Sequence, residues 1–589
     1  MVAEGNPPCP LTSVYKDASC ARERNIKESR PPPPHDRLLG QFPSNLLFNI
    51  LLFYDNTSYS LMLYLAIARG CPTTMPPEVY WTIFVAIVVL YPIALVIYRL
   101  YFHPLAKFPG PKLAAATELY ELFVDLNPWK GGTFIHSLNE MHDKYGPIVR
   151  INPHEIHVRD STWLGTLYTG PAHGKRNKYA PFAWLAGTPR AAFGTVEHDL
   201  HRLRRSAINP MFSKSAIAAA APVMYDHVEN LFNLMDKQIN RDGFAEVRTS
   251  YLAYSTSNIF SYSIGQPSGL LEDEERAIKW RRSIGASAEW TLVARHFTWM
   301  LRYALKMPRR IMNVVLHDLS GIAGSHHDMN NLAIKEIESR GRHGEDEKKT
   351  GGFPSVFQLI LSNDNLPPCE KTPSRMAEEA FILIGAGGET TARAMTAVTY
   401  FVLSNKDTVL PKLKEELLTV MPDPLSRPSV RELERLPWLT AVIKESLRVM
   451  GLFTSRFPVV CPDKPLQYKE WVIPAGTPTS MTTRDILHDP GIFERPNEFL
   501  PERWLPSNPN IDILNRYFVP FSHGNRVCVG MNFAYAELYV VIASIFRRKN
   551  LELYDTIRER DIDIVRDCFL GETAHNTKGV RVKYTEEAS

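Results

Sequence analysis

The feature that most constrains this chain is a single cysteine, Cys528, placed between glycines just before a helix-like run. Residues 521–530 read Phe-Ser-His-Gly-Asn-Arg-Val-Cys-Val-Gly, and residues 531–546 continue with an apolar, helix-compatible pattern. A thiol at a helix N-terminus gains from the positive end of the helix dipole and from unpaired backbone N–H groups, which favour the thiolate, a good ligand for iron. Gly524 and Gly530 let the backbone bend and approach a flat, bulky group.

The other residues around this cysteine leave two interpretations. Arg526 can neutralise an anionic group beside the sulfur. Alternatively, Cys528 is a buried cysteine at a tight turn, because free cysteines usually behave as small hydrophobes. The chain has seven scattered cysteines, an odd number with no C-x-x-C pair, which argues against a disulfide framework or a zinc site and fits a reducing compartment. A net charge of +4 on 589 residues gives no support for a nucleic-acid partner.

An uncharged apolar run at residues 79–98 predicts a membrane anchor. As a helix, twenty residues span about 30 Å, the thickness of a bilayer core. Arg99, Lys107 and Lys112 follow the run, so the positive-inside rule places the large C-terminal part on the cytoplasmic side. The alternative is a buried core helix.

The remaining sequence divides around this anchor. Residues 1–70 contain a polyproline run within a polar stretch and are interpreted as an extension of unknown role, disordered in part. Residues 99–112 are basic and proline-rich, which is typical of a hinge. Residues 113–589 are predicted to form the main body of the chain, one α+β domain that is mainly α with minor β. Its helical patterns are Lys214–Gln238, Arg309–Glu338, Ser374–Leu403, Lys406–Val420 and Val430–Met450, with hairpin strands at 148–151 and 155–158, and short strands near 466–473 and 579–584.

A second group of chemically informative residues lies inside a predicted helix. Three glycines precede Glu389 and Thr390 in residues 381–391, and each glycine costs roughly 1 kcal/mol relative to alanine. A flat cofactor lying close to the helix would offset that cost, and a local groove would leave carbonyl groups for a water or dioxygen. Thr390 offers a hydroxyl as proton relay, and Glu389 is an acid that can resupply protons. The alternative is a small-residue helix crossing.

A third group pairs opposite charges. Glu445 and Arg448 stand three residues apart, which places both side chains on one helical face. Arg503 follows in the segment Pro-Glu-Arg-Trp. Taken alone, such a pair is usually an exposed ion pair on the surface.

Together these motifs resemble the cytochrome P-450 family. The pattern Phe-x-x-Gly-x-Arg-x-Cys-x-Gly resembles the family's proximal haem loop, and residues 386–391 resemble its distal-helix signature. The motifs occur in the family's order, and the resemblance covers roughly residues 100–585. It implies a cytochrome P-450 fold preceded by a single N-terminal transmembrane helix. The residues that it assigns to cofactor binding in the loop are Phe521, Gly524, Arg526, Cys528 and Gly530.

The resemblance also implies roles for the other groups. Cys528 would be the axial ligand of a haem b iron, and Glu389 with Thr390 would deliver protons to iron-bound dioxygen. Glu445, Arg448 and Arg503 would form a buried triad that fixes the cysteine loop, a structural role because buried ion pairs are weak evidence for stability.

Haem propionates need cations. Arg205 matches the arginine of the family's Trp-x-x-x-Arg pattern, with His201 in place of the tryptophan, and Arg456 and Arg526 are further candidates. The alternative for each arginine is a basic helix face that meets a reductase or water.

A haem-thiolate centre inserts oxygen because the thiolate favours O–O cleavage. The resemblance therefore implies a monooxygenase of the endoplasmic reticulum membrane, with electrons from NADPH through a separate cytochrome P-450 reductase and with cytochrome b5 and membrane lipid as further partners. Segments 98–105, 466–477 and 578–582 are similar to those of fungal microsomal, trichodiene-oxygenase-like enzymes of secondary metabolism. That similarity favours a terpenoid substrate, with a polyketide-derived one as the alternative.

Four segments are candidates for an apolar substrate cavity by analogy with the family. They contain Phe182, Trp184, Phe381, Phe453 and Phe569. Two other classes of protein stay open, a haem-thiolate isomerase or dehydratase that needs no dioxygen, and a non-enzymatic haem-binding membrane protein.

Overall fold

The structure is a computed structural model that describes residues 77–127, 131–170, 174–304, 320–343 and 353–585, together with Met307 and Ile311. The predicted extension at residues 1–70 lies outside the described residues. The α-helices of the described part are α1 (Pro77–Ile97), α2 (Lys112–Ala116), α3 (Leu119–Asp125), α4 (Phe134–Tyr145), α5 (Leu164–Leu167), α6 (Ala180–Ala183), α7 (His198–Ile208), α8 (Lys214–Asp242), α9 (Val247–Ile264), α10 (Glu274–His296), α11 (Thr298–Ala304), α12 (Ser320–His343), α13 (Val356–Leu361), α14 (Pro373–Ser404), α15 (Leu410–Leu418), α16 (Val430–Glu434), α17 (Pro437–Met450), α18 (Thr483–Leu487), α19 (Ile511–Tyr517), α20 (Met531–Arg548) and α21 (Arg558–Asp561).

The β structure is minor, as predicted, and it is divided among small sheets. The strands are β1 (Ile148–Arg150), β2 (Ile156–Val158), β3 (Asn177–Lys178), β4 (Ala245–Glu246), β5 (Val459–Val460), β6 (Leu466–Tyr468), β7 (Trp471–Ile473), β8 (Pro478–Ser480), β9 (Leu551–Leu553), β10 (Arg566–Cys568), β11 (Leu570–Glu572) and β12 (Arg581–Tyr584). Their sheets have the orders β1-β2-β8-β5-β3, β4-β12-β9, β10-β11 and β6-β7. Only the β2–β8 pair is parallel, and the predicted hairpin of β1 and β2 pairs Ile148 with Val158.

Local sequence signals explain where the helices begin and end. The Ser213 hydroxyl accepts a hydrogen bond from the Ala216 N–H at the start of α8, and Gly243 ends that helix in the left-handed conformation. The predicted helix over 430–450 is instead two helices, α16 and α17. Pro437 begins α17, because proline lacks the N–H and fits the first turn of a helix but not its interior.

The described residues fall into two units, one that ends at Tyr98 and one that begins at Arg99. In the first unit, α1 covers most of the predicted anchor. The window Val85–Phe102 has a mean hydropathy of 2.1 and is 6% buried, so it is long and apolar enough to cross a membrane. Its apolar side chains are mostly exposed, unlike those of a core helix.

The predicted hinge, residues 99–112, belongs to the second unit and packs on it. The guanidinium of Arg99 is buried and donates to the Ala116 carbonyl at 3.1 Å. Phe108 is buried with its ring 5.1 Å from that of Trp471. The basic, proline-rich segment is therefore anchored to the catalytic body at several points.

The long helix α14 lies at the centre of the second unit. It packs against α9, α12, α17 and α20, and most of its residues from Thr391 onward are buried. The helix α20 begins three residues after Cys528. The core therefore brings the predicted distal helix against the helix that leads out of the cysteine loop. The four cysteines in the described residues, Cys369, Cys461, Cys528 and Cys568, form no disulfide bond with one another.

Candidate active site

The loop before α20 is held by its own backbone and by a neighbouring turn. The Cys528 N–H donates to the Phe521 carbonyl at 3.0 Å, which closes the loop on itself. Gly524 has φ +75°, and a Cβ on it would lie 2.5 Å from the Tyr168 carbonyl oxygen. Only glycine fits there. Gly524 is therefore required by the close approach of the Tyr168 backbone. Gly530, by contrast, has nothing within 4 Å of its Cβ position.

The surroundings of Cys528 act on its thiol in opposite directions. Burial raises the pKa of the thiol above its ordinary value, and the Gly530 N–H and the Arg205 charge offset that rise only in part. The Gly530 N–H and the Arg205 charge therefore act in the predicted direction, towards the thiolate, while enclosure by protein opposes them. A coordinated metal ion also favours the deprotonated form of a thiol.

Two of the three glycines that precede Glu389 in α14 face another helix rather than the open space that a flat cofactor would need. The helix runs unbroken through them. A Cβ on Gly387 would lie 2.8 Å from Ile259, and one on Gly388 would lie 2.5 Å from the Thr256 hydroxyl. These two glycines allow α9 to approach α14 closely, which is the small-residue crossing considered as an alternative. Gly385, by contrast, has open space next to its Cβ position.

Open space also borders Ala386, which is exposed in the middle of an otherwise buried helix. Thr390 stands one turn further on, and its hydroxyl donates to the Ala386 carbonyl at 2.7 Å. The hydroxyl thus lies beside the open side of the helix. This is the position that a proton relay to a ligand on that side requires.

Glu389 points into the protein and is paired with two arginines. Its Oε1 accepts hydrogen bonds from Arg248 of α9 and from Arg393 one turn along α14. Burial alone would raise the pKa of this carboxyl, but the two guanidinium groups outweigh it and lower the pKa to about 2. Glu389 therefore rests as a carboxylate at neutral pH.

The structure brings Glu445, Arg448 and Arg503 together. Both oxygens of the fully buried Glu445 accept from Arg448, at 2.8 and 2.9 Å, and Oε1 also accepts from Arg503 Nε at 2.9 Å. The Trp504 indole N–H is a further donor, 2.8 Å from Oε2, which the sequence did not single out. Arg448 also donates to the carbonyls of Leu487, Pro496 and Glu498 and so ties α17 to the segment that precedes the cysteine loop.

Comparison with known proteins decides what this arrangement is. The sequence matches the family model described as Cytochrome P450 over residues 120–572. The chain belongs to the cytochrome P450 family. It is therefore a cytochrome P450 monooxygenase, with a haem held through a cysteine thiolate and with electrons derived from NADPH through a reductase.

The chain is similar to fungal P450 enzymes along most of its length. It is 38% identical over 513 residues to Cytochrome P450 monooxygenase sdnE from Sordaria araneosa, covering 84% of this chain and 96% of the relative. It is 38% identical over 500 residues to Tryptophan 6-hydroxylase fscE from Fusarium equiseti, covering 85% and 96%. It is 35% identical over 512 residues to N-acetyltryptophan 6-hydroxylase ivoC from Emericella nidulans, covering 85% and 97%.

The P450 cofactor carries two propionates, and the structure provides cations that fit them. Lys178, Arg205 and Arg526 are largely enclosed by protein, and within the described residues none of the three pairs with a carboxylate. Arg205 and Arg526 donate instead to backbone carbonyls, at Val527 and Thr195. Burial lowers the pKa of Arg526 to about 10, with the Arg205 charge contributing, so a nearby anion would be stabilising.

Lys178 and the nearby His201 add to the surroundings of Arg205 and Arg526. Lys178 was not predicted from the sequence; it lies in β3, where burial and then Arg526 lower the pKa of its amine well below the ordinary value. His201 is buried, and its Nδ1 has no hydrogen-bond partner in the described residues. The Lys178 amine, which donates to the Phe193 carbonyl rather than to a carboxylate, and the unpartnered His201 Nδ1 fit a buried dianionic cofactor.

Arg456 differs from the other predicted cations. Its guanidinium donates to Glu121 at 2.6 Å and to Glu155 at 2.8 Å, and it is buried against the Phe134 ring. Two carboxylates therefore already match its charge. In this structure Arg456 joins α3 to the β1–β2 hairpin.

Aromatic rings from the predicted cavity segments meet in one cluster. Phe569 contacts Phe182, Phe193, Phe453 and Phe457, with ring centroids 5.9 to 6.3 Å apart. Phe569 is at the tip of the β10–β11 hairpin with φ 76°, a backbone conformation that residues other than glycine rarely adopt. Phe381 instead packs against His326, at 5.4 Å.

Proposed function

We propose that this P450 inserts one oxygen atom from O2 into an apolar secondary metabolite, with a terpenoid skeleton as the substrate class. The observation that carries the proposal is the placement of Thr390 beside the open side of α14, with Glu389 next to it in the same helix. An enzyme that does not cleave dioxygen has no need for a hydroxyl and a carboxylate at this place.

Each predicted site residue has its own role in the proposed reaction. Cys528 would hold the haem iron, and Phe521, Gly524 and Gly530 would shape the loop around it. Arg205 and Arg526, together with Lys178, would bind the propionates. The bound haem supplies dioxygen activation. Thr390 presents a hydroxyl on the distal side, and Glu389 relays protons towards it. Because Glu389 rests ionised, it acts by taking up a proton and passing it on rather than by storing one.

The phenylalanine cluster supports an apolar substrate. Rings at edge-to-face angles, such as Phe182 with Phe457 at 72°, offer no hydrogen bonds and favour a hydrocarbon-like surface. A fused terpenoid skeleton has such a surface. A polyketide-derived intermediate is the alternative within the same class of apolar metabolites.

A tryptophan-derived substrate is the second candidate, because two relatives are named as hydroxylases of tryptophan and N-acetyltryptophan. An indole ring also fits edge-to-face against phenylalanine rings.

The test compares these candidates by binding and by turnover. Purified full-length protein is titrated with a panel of terpene hydrocarbons, an aromatic polyketide, tryptophan and N-acetyltryptophan while the haem spin state is followed. Compounds that shift the spin state are then incubated with NADPH and a P450 reductase. A hydroxylated terpene supports the proposal, and turnover of the tryptophan compounds alone replaces it with the second candidate. Product formed without NADPH and O2 identifies an isomerase or dehydratase instead.

We also propose an endoplasmic reticulum location, with α1 as a single-pass anchor and the catalytic body in the cytoplasm. Cytochrome b5 and membrane lipid would be further partners. Deleting residues 1–98 should move the protein from microsomes toward the soluble fraction. Retention of the shortened protein in microsomes would contradict α1 as the sole anchor.

A further inference from the structure

The proposed proton relay at Glu389 is one member of a closed ring of four charged side chains. Arg393 donates from Nε to Glu389 Oε1 at 2.5 Å and from Nη2 to Glu572 Oε1. Arg248 donates from Nη2 to the same oxygen of Glu389, and its Nη1 is 3.8 Å from Glu572 Oε2. Each arginine thus bridges both carboxylates, and the four charges sum to zero.

The ring is buried, so its charges act strongly on one another. The side chains of Glu389 and Arg393 are 4% and 8% exposed, and that of Glu572 is 12% exposed. Charges in such a poorly solvated place are weakly screened. Removing one charge therefore changes how firmly the others are held.

The ring holds the two oxygens of Glu389 unequally. Oε1 accepts from both arginines, whereas Oε2 is buried and has no hydrogen-bond partner among the described residues. A buried acceptor without a partner is costly, so such an atom commonly serves a function. One oxygen anchors the side chain, and the other is available to a proton.

Glu572 reaches the ring from a distant part of the chain. It ends β11, and the Gly571 carbonyl next to it accepts from Arg393 Nη1. The same hairpin carries Phe569 at its tip. Nothing in the local sequence around Glu572 indicates such a contact, and family resemblance assigned it no role.

We propose that Glu572 is a positioning residue for proton delivery. By sharing Arg248 and Arg393 with Glu389, it limits how tightly the arginines bind that carboxylate and leaves Oε2 able to take up and pass on protons. This inference rests on the proposed function, in which Glu389 relays protons to the distal side.

The direction of the effect follows from the charges. Without the Glu572 charge, two guanidinium groups would face a single buried carboxylate. They would hold Glu389 more tightly and oppose its protonation. Proton delivery would slow, and reduced oxygen would leave as hydrogen peroxide more often.

The test uses full-length, haem-loaded protein in lipid vesicles with a P450 reductase and NADPH, and with the panel compound that binds most tightly. Peroxide released per NADPH is measured in H2O and in D2O for wild type, E572Q, E389Q and the double variant. The matched control is E552Q, because Glu552 forms a partly exposed pair with Lys583 at 2.9 Å.

We expect E572Q to raise the peroxide fraction roughly threefold or more and E552Q to leave it unchanged, because only coupled residues share an effect of that size. The D2O effect on NADPH turnover should grow in E572Q, which a merely less stable protein would not show. Adding E572Q to E389Q should change little, since both act through one carboxylate.

Three results would overturn the inference. Normal coupling in E572Q beside uncoupled E389Q would remove the role of Glu572 and leave the proposed function intact. Additive effects in the double variant would show that Glu572 acts elsewhere. Normal coupling in E389Q would overturn both this inference and the relay of the proposed function.

A second variant keeps the test decisive if E572Q does not give the ferrous–CO band of a thiolate-ligated haem. R393K retains the charge but cannot bridge two carboxylates with a planar fork. It should raise the peroxide fraction and the D2O effect in the same way, and wild-type behaviour would contradict the proposal.

Discussion

Glu389 and Glu445 are both buried and each binds two arginines, yet the two carboxylates differ in how completely their oxygens are hydrogen-bonded. Glu445 receives five hydrogen bonds, and both of its oxygens have donors, including the Trp504 indole and the Leu500 N–H. Glu389 receives its two hydrogen bonds on one oxygen, while its other oxygen has no partner in the described residues. A saturated carboxylate cannot take up a proton without losing bonds, so it holds the fold in place. A half-saturated one can exchange protons while it stays anchored.

The largest effect is expected for Glu445→Gln. An amide supplies one acceptor oxygen where the arginines and the indole require two, and it leaves the buried Arg448 without a counter-charge. Breaking a buried pair costs about 3–5 kcal/mol, so little folded, haem-loaded protein should be recovered. Urea unfolding and the ferrous–CO spectrum measure this.

The control for Glu445→Gln is Glu502→Gln, because Glu502 forms an exposed pair with Lys412. That variant should unfold like wild type, since exposed pairs contribute little. Similar losses of stability in both variants would mean that the buried network stabilises the fold no more than an exposed ion pair does.

Acid titration measures how much the pairing of Glu389 with its two arginines stabilises the folded protein. The Glu389 pKa is lowered from 4.5 to about 2 in the folded protein, against the effect of burial, by Arg248 and Arg393. The unfolded chain therefore takes up the proton first. The stabilisation is complete above the unfolded pKa and is lost as the pH falls through the folded pKa.

The Glu389→Gln variant has no carboxyl group to titrate at this position. The difference in free energy of unfolding between wild type and this variant should stay level from roughly pH 8 to pH 5 and then shrink by up to about 3 kcal/mol towards pH 2. Urea midpoints at each pH provide the measurement. A level difference throughout would mean that the arginines do not hold Glu389 as described.

Trp504→Phe should have a smaller effect. It removes one of two donors to Glu445 Oε2 and keeps an aromatic ring of similar shape. A hydrogen bond to a charged group contributes about 1.5–3 kcal/mol, so unfolding should be easier by an amount in that range. Peroxide release per NADPH should stay at the wild-type level, and a rise would show that the two networks communicate.

Thr390→Ala should have the smallest effect on stability and a clear effect on coupling. The matched control is Thr396→Ala. The Thr396 hydroxyl donates an equivalent hydrogen bond to the carbonyl four residues earlier, that of Ala392, at 2.8 Å, but Thr396 is buried. Each change should alter the free energy of unfolding by roughly 1 kcal/mol or less. Only Thr390→Ala should raise the peroxide fraction, and equal peroxide release in the two variants would remove the relay role of Thr390.

Residues that act within one short segment were predicted well from the sequence. Glu445 and Arg448 meet because positions three apart share a helix face, and Cys528 lies just before α20 because glycines mark the turn. Partners from distant segments were predicted poorly. Arg456 pairs with Glu121 and Glu155, and no local pattern records that these carboxylates pack against it.

The glycines of α14 show the same limit. Their cost to the helix indicated that some close approach must occur there. Two candidates could make that approach, a cofactor and another helix, and the packing of α9 assigned Gly387 and Gly388 to the helix.

The sequence by itself determined the family and the helical class, because these depend on the order and spacing of residues within contiguous motifs. The tertiary structure alone decided which charges are neutralised and which stay unpaired: Lys178 among the cations, Glu572 in the ring, and the free oxygen of Glu389. The reason is physical. A charge in a poorly solvated interior is governed by the few groups within several ångströms of it, and packing brings those groups from segments that lie hundreds of residues apart in the chain.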